Sequence, residues 1–152
     1  MDIRIAIGAD HNGVSLKAYL ISWLTGRGHE VDDRGTQGTE TVDYPALCEA
    51  VSRQVVDGHA DRGIVIGGTG SGEQIACNKI RGVRAGLCHD VLTAEIARAH
   101  NDTNVLVMGA KVIAAELAED IVGIWLATAF KGGPHQRRLD QIAVLERGQS
   151  LL

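Results

Sequence analysis

A glycine-rich run that carries one carboxylate is the part of the chain best suited to chemistry. Residues 67–73 read G-G-T-G-S-G-E and directly follow the apolar stretch 63–66. Four glycines in six residues let backbone N–H groups approach a ligand closely, and a helix N-terminus adds partial positive charge. Ser71 is the predicted N-cap of that helix, with Gln74 as its capping-box partner. The run therefore predicts an anion-binding loop with Glu73 beside it as a base.

Two familiar phosphate motifs are not met by this run. The dinucleotide fingerprint fails because the third residue after Gly70 is Glu73, and the P-loop fails because no Gly-Lys-Ser/Thr sequence follows. The structural alternative is a tight strand-to-helix connection in which Glu73 only stabilises the helix dipole. The functional alternative is a module that binds a phosphate or nucleotide without catalysis.

The remaining polar residues match none of the common metal or nucleophile patterns. The chain has no H-E-x-x-H, His-x-His or cysteine cluster, and no G-x-S-x-G sequence. Its three cysteines form no C-x-x-C and cannot all pair, which is typical of free thiols in a reducing cytoplasm. We therefore expect acid–base chemistry on a small anionic or hydroxyl-rich ligand, with no metal and no cofactor, in a cytoplasmic protein.

Length and charge narrow the class of protein. A chain of 152 residues predicts one domain, 1–152, with a sizeable core. The net charge of −4, with no basic stripe, argues against nucleic acid as a partner. No uncharged run approaches the roughly 18 residues of a membrane span, so no membrane partner is expected. Asp2 and Arg4 interrupt the first apolar run, which argues against a signal peptide.

Strand-like and helix-like segments alternate along the chain. We predict strands at 3–9, 30–32, 63–66, 84–88 and 104–108, and helices at 14–25, 45–58, 71–79, 91–99, 112–130 and 135–147. This order predicts an α/β, three-layer, Rossmann-like fold, with a five-stranded parallel sheet and helices on both faces. Ligands bind at the carboxyl ends of such strands. Those ends are Asp10-His11, the glycine run, His89-Asp90 and 109–111, and we expect them to line one crevice.

Several separated motifs resemble ribose-5-phosphate isomerase type B, a family that also contains the galactose-6-phosphate isomerase subunits. They are the run 67–79, Asp10-His11, Asp43-Tyr44-Pro45, the H-N-D-T-N sequence at 100–104 and the H-Q-R-R sequence at 135–138. The resemblance covers essentially the whole chain. It implies a cofactor-independent aldose–ketose isomerase of carbohydrate metabolism that converts ribose 5-phosphate to ribulose 5-phosphate, in the pentose phosphate pathway, through an enediolate.

The resemblance also implies roles for individual residues. Many family members carry a cysteine base at the position of Gly67, whereas this chain resembles the branch in which Glu73 takes the proton. Thr69 and the amides of 68–72 would hold the enediolate oxygen, and His100 would assist opening of the furanose ring. The residues that would bind the sugar and its phosphate are Asp10, His11, Gly68, Gly70, Ser71, Gly72, Asn101, Lys111, Arg137 and Arg138.

Two departures from the family leave the substrate open. The family commonly has arginine phosphate contacts where this chain has Lys111 and Pro134. Lysine keeps the charge but loses bidentate geometry, and proline has no side-chain donor. A tetrose or hexose phosphate is therefore an alternative substrate.

The resemblance further implies a homodimer, or a dimer of dimers, with active sites shared across the interface. The C-terminal helix from about 135 is expected to pack on a partner subunit. The apolar helix 112–130 also offers interface surface, although packing in the core would equally explain its composition.

Overall fold

Five parallel strands form the central sheet of the computed structural model, which describes residues 2–152. The strands are β1 (Arg4–Ala9), β2 (Glu30–Asp33), β3 (Arg62–Gly67), β4 (Ala85–Leu87) and β5 (Val105–Gly109). Their order in the sheet is β2-β1-β3-β5-β4, and every neighbouring pair is parallel. The predicted fold class, an α/β protein with a five-stranded parallel sheet, is confirmed.

Helices cover both faces of the sheet. They are α1 (Val14–Gly26), α2 (Tyr44–Val56), α3 (Ser71–Cys77), α4 (Val91–Ala99), α5 (Ala115–Ala127) and α6 (Pro134–Glu146). The larger core joins the sheet to α1, α4 and α5, and the smaller one joins it to α2 and α3. Successive strand residues point to opposite faces: Ile64 and Ile66 enter the larger core, whereas Val65 enters the smaller.

The start of α3 differs from the prediction. Its N-cap is Gly70 rather than Ser71, and no side chain caps the helix. Gly70 has a φ of 85°, in the left-handed region that favours glycine. A β-carbon there would come within 2.6 Å of Leu87 Cδ1. The capping-box prediction for Ser71 and Gln74 was therefore wrong, because the turn into the helix depends on a close backbone approach.

Helix α5 is shorter than the predicted 112–130. The amides of Val112 and Ile113 both donate to the carbonyl of Gly109, at 3.0 and 3.2 Å, in a turn that precedes the helix. The helix ends before Thr128, whose ψ of 127° is extended. Its buried residues are Ala118, Ile121, Val122 and Trp125. Core packing therefore accounts for these four apolar residues.

Helix α6 buries little of its surface against the rest of the chain. Leu139 is its one buried residue, while Ile142 and Leu145 are more than half exposed. A groove of about 800 Å³ runs between this helix, β4 and α4. In residues 2–152, every helix is too short or too polar to cross a membrane.

Candidate active site

The carboxyl group of Glu73 is buried at the end of β3. Glu73 lies in the first turn of α3, is 4% exposed, and folds back over Gly67. A β-carbon built on Gly67 would overlap the carboxyl oxygens of Glu73. Glycine at this position thus makes room for the glutamate. Burial raises the pKa of Glu73 above its ordinary value; a hydrogen bond from its own backbone amide acts against this, and the nearby Asp10 acts with it.

Asp10 follows β1 and lies beside the end of β3. It is 4% exposed, and its backbone amide donates to the carbonyl of Ile66 at 3.1 Å, which ties the chain after β1 to β3. Its Oδ1 accepts from the amide of Asn12 at 2.8 Å, and its Oδ2 from Asn12 Nδ2 at 3.3 Å. The predicted residues Asp10 and Glu73 are therefore both buried, at the ends of the neighbouring strands β1 and β3.

Asn12 also holds His11, and the sequence analysis missed this role. Asn12 Nδ2 lies 3.4 Å from His11 Nε2, and the amide of Val42 donates to His11 Nδ1 at 3.4 Å. A β-carbon on Gly68 would lie 3.2 Å from Asn12 Nδ2, so this side chain borders the glycine loop. Its position directly after Asp10-His11 at a strand end is the signal that could have identified it.

The glycine loop presents backbone amides to the crevice. Within residues 2–152, the amides of Gly68, Gly70 and Gly72 donate to no protein acceptor. The carbonyl of Gly68 instead accepts from the amide of Lys111 at 2.9 Å, which orients this part of the loop. Thr69 and Ser71 are exposed at the loop surface. This arrangement can stabilise a developing negative charge on a bound oxygen.

Two side chains frame the loop from neighbouring elements. The exposed Lys111 side chain runs past Gly68, with Cδ 3.6 Å from the position that a β-carbon on Gly68 would take. The Tyr44 hydroxyl, at the start of α2, packs directly over Gly72. Tyr44 belongs to a motif noted in the sequence, but no role was assigned to it there.

The two polar residues that follow β4, His89 and Asp90, make structural hydrogen bonds. His89 Nε2 accepts from the amide of Gly109 at 3.0 Å and so joins β4 to β5. Asp90 caps α4 by accepting from the amide of Thr93 at 2.7 Å.

Across residues 2–152, no group of three or more His, Cys, Asp or Glu side chains is placed to hold a metal ion.

His100 and Asn101 lie at the opposite edge of the sheet from Glu73. His100 is the C-cap of α4, and both residues precede β5, whereas the glycine loop contacts the chain that follows β5. The five residues of β5 span roughly 15 Å. A single chain therefore does not bring His100 or Asn101 to Glu73.

The same edge carries the predicted phosphate residues of α6. The His100 and His135 rings are stacked, with centroids 4.0 Å apart and an interplanar angle of 12°. Arg137 and Arg138 follow on the exposed surface of α6. Loss of hydration and the positive charges of His100 and Arg138 lower the pKa of His135. His135 had no assigned role in the sequence analysis, and its stacking on His100 is a tertiary contact that sequence spacing does not show.

The predicted residues thus form two groups. The first, at the carboxyl edge of the sheet, comprises Asp10, His11, Gly68, Thr69, Gly70, Ser71, Gly72, Glu73 and Lys111. The second, at the amino edge, comprises His100, Asn101, Arg137 and Arg138. The first can accept a proton and stabilise an oxyanion, while the second supplies imidazole and guanidinium groups.

Comparison with known proteins covers both groups. The family described as Ribose/Galactose Isomerase matches residues 5–142. Ribose-5-phosphate isomerase B of Escherichia coli is 44% identical over 144 residues, or 95% of this chain and 97% of that protein. The solved structure of ribose-5-phosphate isomerase B from Clostridium thermocellum is 46% identical, with a TM-score of 0.95 over 97% of this chain and 99% of that one. D-erythrulose-4-phosphate isomerase of Pectobacterium atrosepticum is 38% identical over 145 residues, 95% of each protein.

These matches run through nearly the entire chain, so they include the glycine loop, Glu73 and the segment around His100. They agree with the resemblance drawn from the separated motifs, and they set aside the alternative of a module that binds phosphate without catalysis. The chain belongs to the ribose/galactose isomerase family and is an aldose–ketose isomerase of sugar phosphates.

Proposed function

We propose that the chain interconverts ribose 5-phosphate and ribulose 5-phosphate, with Glu73 as the base. The observation that carries this proposal is the buried Glu73 carboxyl, which lies over Gly67 beside a loop of free backbone amides. Burial raises its pKa toward the range in which a general base works at neutral pH. The names of the relatives in Escherichia coli and Clostridium thermocellum support this substrate.

The proposed reaction moves one proton between neighbouring carbons. Glu73 takes the proton from the carbon next to the carbonyl, and the bonding electron pair forms an enediolate. The amides of Gly68, Gly70 and Gly72, with Thr69, stabilise its oxygen. Glu73 then returns the proton to the adjacent carbon, so no cofactor is required by the proton balance.

The other predicted residues position the sugar and its phosphate. Asp10 and His11 contact the sugar, and Ser71 lies at the loop surface to meet it. Lys111 approaches the phosphate from the carboxyl-edge group, and Arg137 and Arg138 do so from the amino-edge group. His100 assists ring opening, and Asn101 binds sugar hydroxyls.

A complete site requires two copies of the chain, so we propose a homodimer. The carboxyl-edge group of one subunit would face the amino-edge group of the other. Helix α6 supports this arrangement, because it has one buried residue, exposed apolar side chains and an open groove beneath it. A dimer of dimers is compatible with the same contact. In keeping with its free buried thiols, we place the protein in the cytoplasm.

A tetrose phosphate is the second candidate substrate. Lys111 and Pro134 stand where arginine phosphate contacts are common in the family, and Pro134 is exposed at the start of α6. The Pectobacterium relative is named for a four-carbon sugar phosphate. If Pro134→Arg sharply improves turnover of ribose 5-phosphate, that result would favour a tetrose phosphate as the natural substrate.

The test is an isomerisation assay of the purified protein over tetrose, pentose and hexose phosphates. Ribose 5-phosphate is expected to give the highest kcat/KM. Glu73→Gln should lower kcat about 10²–10⁴-fold, because loss of a general base has that effect, while Glu116→Gln, an exposed residue of α5, serves as the matched control. A higher kcat/KM for another sugar phosphate would reject the substrate, and wild-type turnover by Glu73→Gln would reject the base.

A further inference from the structure

Two arginines hold the turn that follows His100. Arg84 Nε donates to the carbonyl of Asn101 at 3.2 Å and to that of Asp102 at 3.0 Å, and its Nη2 donates to Asp102 Oδ2 at 3.2 Å. Arg98 Nη1 donates to Asp102 Oδ1 at 2.9 Å. The two guanidinium groups share one carboxylate, and we call Arg84, Arg98 and Asp102 together the Asp102 clamp.

The clamp is anchored to buried groups. Arg98 is 5% exposed, and burial of a charged group is costly unless the group is paired. Besides binding the Asp102 carboxylate, Arg98 Nη1 donates to the carbonyl of Thr103 at 2.6 Å, and its guanidinium lies 6.0 Å from the centre of the Trp125 ring. Trp125 Nε1 in turn donates to Thr103 Oγ1 at 2.9 Å. The turn is therefore tied to the core through Arg98.

The backbone of Asp102 has an uncommon conformation. Its φ is 45°, and within residues 2–152 it is the one non-glycine residue with a positive φ. Such a conformation persists where the surrounding contacts determine it, and residues of this kind cluster at functional sites. The two arginines bind the carbonyls of residues 101, 102 and 103. The chain directly after His100 is therefore fixed at three consecutive residues.

Opening of the sugar ring, the step in which His100 assists, is a proton transfer that needs accurate placement. The anomeric hydroxyl loses a proton, the carbonyl forms, the bond from C1 to the ring oxygen breaks, and that oxygen gains a proton. Both oxygens are attached to the same carbon, so one imidazole nitrogen can accept the first proton and donate it to the ring oxygen. The proton balance closes with no other reactant, but the nitrogen must reach both oxygens.

We propose that the Asp102 clamp positions His100 for opening of the sugar ring, so that ring-closed sugar phosphates depend on the clamp and open-chain ones do not. The proposal rests on the function proposed above. Ribose 5-phosphate closes a five-membered ring through its hydroxyl at C4, whereas erythrose 4-phosphate carries its phosphate at C4 and stays open. The three residues of the clamp act through His100 and are positioning residues.

A comparison of the two substrates tests the role in ring opening. Arg84→Lys keeps the charge, but one ammonium nitrogen cannot replace the three bonds made by Nε and Nη2. It should lower kcat for ribose 5-phosphate by about 10–100-fold, since misplacement of a catalytic group by about 1 Å has an effect of that size, and should leave kcat for erythrose 4-phosphate unchanged. Arg53→Lys is the matched control, because Arg53 makes two bonds to Glu49 on the exposed face of α2. An equal loss for both substrates would overturn the proposal.

A double-mutant cycle tests whether the clamp acts through His100. If it does, adding Arg84→Lys to His100→Gln should lower kcat for ribose 5-phosphate no further. Losses that multiply in the double variant would show that Arg84 acts independently of His100 and would overturn the proposal. Where the wild type does not turn over erythrose 4-phosphate, this cycle decides the role in catalysis.

A measurement without substrate separates this inference from the function. The proton resonances of the His100 ring, identified by their loss in His100→Gln, are shifted by the ring current of His135, which stacks on it. In Arg84→Lys they should move toward their position in His135→Gln. That movement supports the clamp even where no sugar phosphate is turned over, and the combination would reject the function alone. Unmoved resonances with normal turnover of ribose 5-phosphate would overturn the clamp. If Arg84→Lys does not fold, Asp102→Asn takes its place, because asparagine tolerates the left-handed backbone and removes the charge.

Discussion

Gly67 and Glu73 are linked sterically: the Glu73 carboxyl fills the space that any side chain at position 67 would need. Both residues project toward the same point at the end of β3. A side chain at position 67 and the buried glutamate at 73 therefore exclude each other, and under the proposed mechanism a cysteine at 67 would be an alternative way to place a base at this location. The absence of a side chain at position 67 and the burial of the Glu73 carboxyl are therefore coupled, because both would occupy the same space.

Gly67→Cys is expected to inactivate the protein even though it adds a thiol. The new side chain must displace the Glu73 carboxyl, and overpacking of this kind typically costs about 1–3 kcal/mol of stability. Adding Glu73→Ala removes the clash, so Gly67→Cys/Glu73→Ala should regain the lost thermal stability. Thermal unfolding and turnover of both variants check this.

Glu73→Ala alone is the control for that pair of variants. The steric argument predicts that the two substitutions are not additive. Adding Glu73→Ala to Gly67→Cys should raise Tm, and this change should be more favourable than the change in Tm that Glu73→Ala causes in the wild type. Strictly additive melting temperatures would contradict it. Recovery of turnover in the double variant would show in addition that a thiol at this location can replace the carboxylate.

Glu73→Gln should stabilise the protein increasingly as the pH rises. The pKa of Glu73 is raised in the folded state, so this carboxyl favours folding most below its unfolded pKa, and that contribution is lost as the pH rises through the folded pKa. Glutamine has nearly the same size and does not ionise. We expect Tm to exceed that of the wild type by a few degrees at pH 8, since about 1 kcal/mol moves Tm by about 2–4 °C at this size, with a smaller difference near pH 4. A difference in Tm that does not change with pH would contradict this.

The architecture could be predicted because its signals are local. Buried strands show as short apolar runs such as 63–66, and Asp90 marks the start of α4 with a capping residue. Once the strands are parallel, their carboxyl ends must share an edge. That rule is sufficient to predict that Asp10, the glycine loop and Lys111 lie at one edge of the sheet.

The features that the sequence predicted wrongly or did not reveal depend on tertiary contacts. Gly70 rather than Ser71 is the N-cap of α3, because the backbone there packs closely against Leu87. The stacking of His100 on His135 joins residues from two helices, and sequence spacing contains no information about it. The bond from Asn12 to Asp10 is local, but the bond from the Asp10 amide to the Ile66 carbonyl, which places Asp10 beside β3, depends on the fold.

Arg138→Ala should raise KM for phosphorylated sugars about tenfold or more. A charge-assisted hydrogen bond contributes roughly 1.5–3 kcal/mol, and the family's arginine is absent at Pro134, so Arg138 should carry much of the phosphate binding. The effect should be smaller for the corresponding unphosphorylated sugar. Arg147→Ala, at the exposed end of α6, is the matched control. An unchanged KM for every phosphorylated sugar would show that the phosphate binds elsewhere.

Mixing two inactive variants tests whether each site is shared between subunits. In a dimer of one Glu73→Gln chain and one His100→Gln chain, one site carries both substitutions and the other carries neither. Random association makes about half of the dimers mixed, each with one intact site of two, so about a quarter of wild-type activity should return. Co-expression of the two variants, with each expressed alone as the control, checks this. Because β5 separates Glu73 from His100 within one chain, recovery is the expected result. Activity of the mixture no higher than that of the separate variants would place both residues of a site in one chain and would overturn the proposed homodimer site.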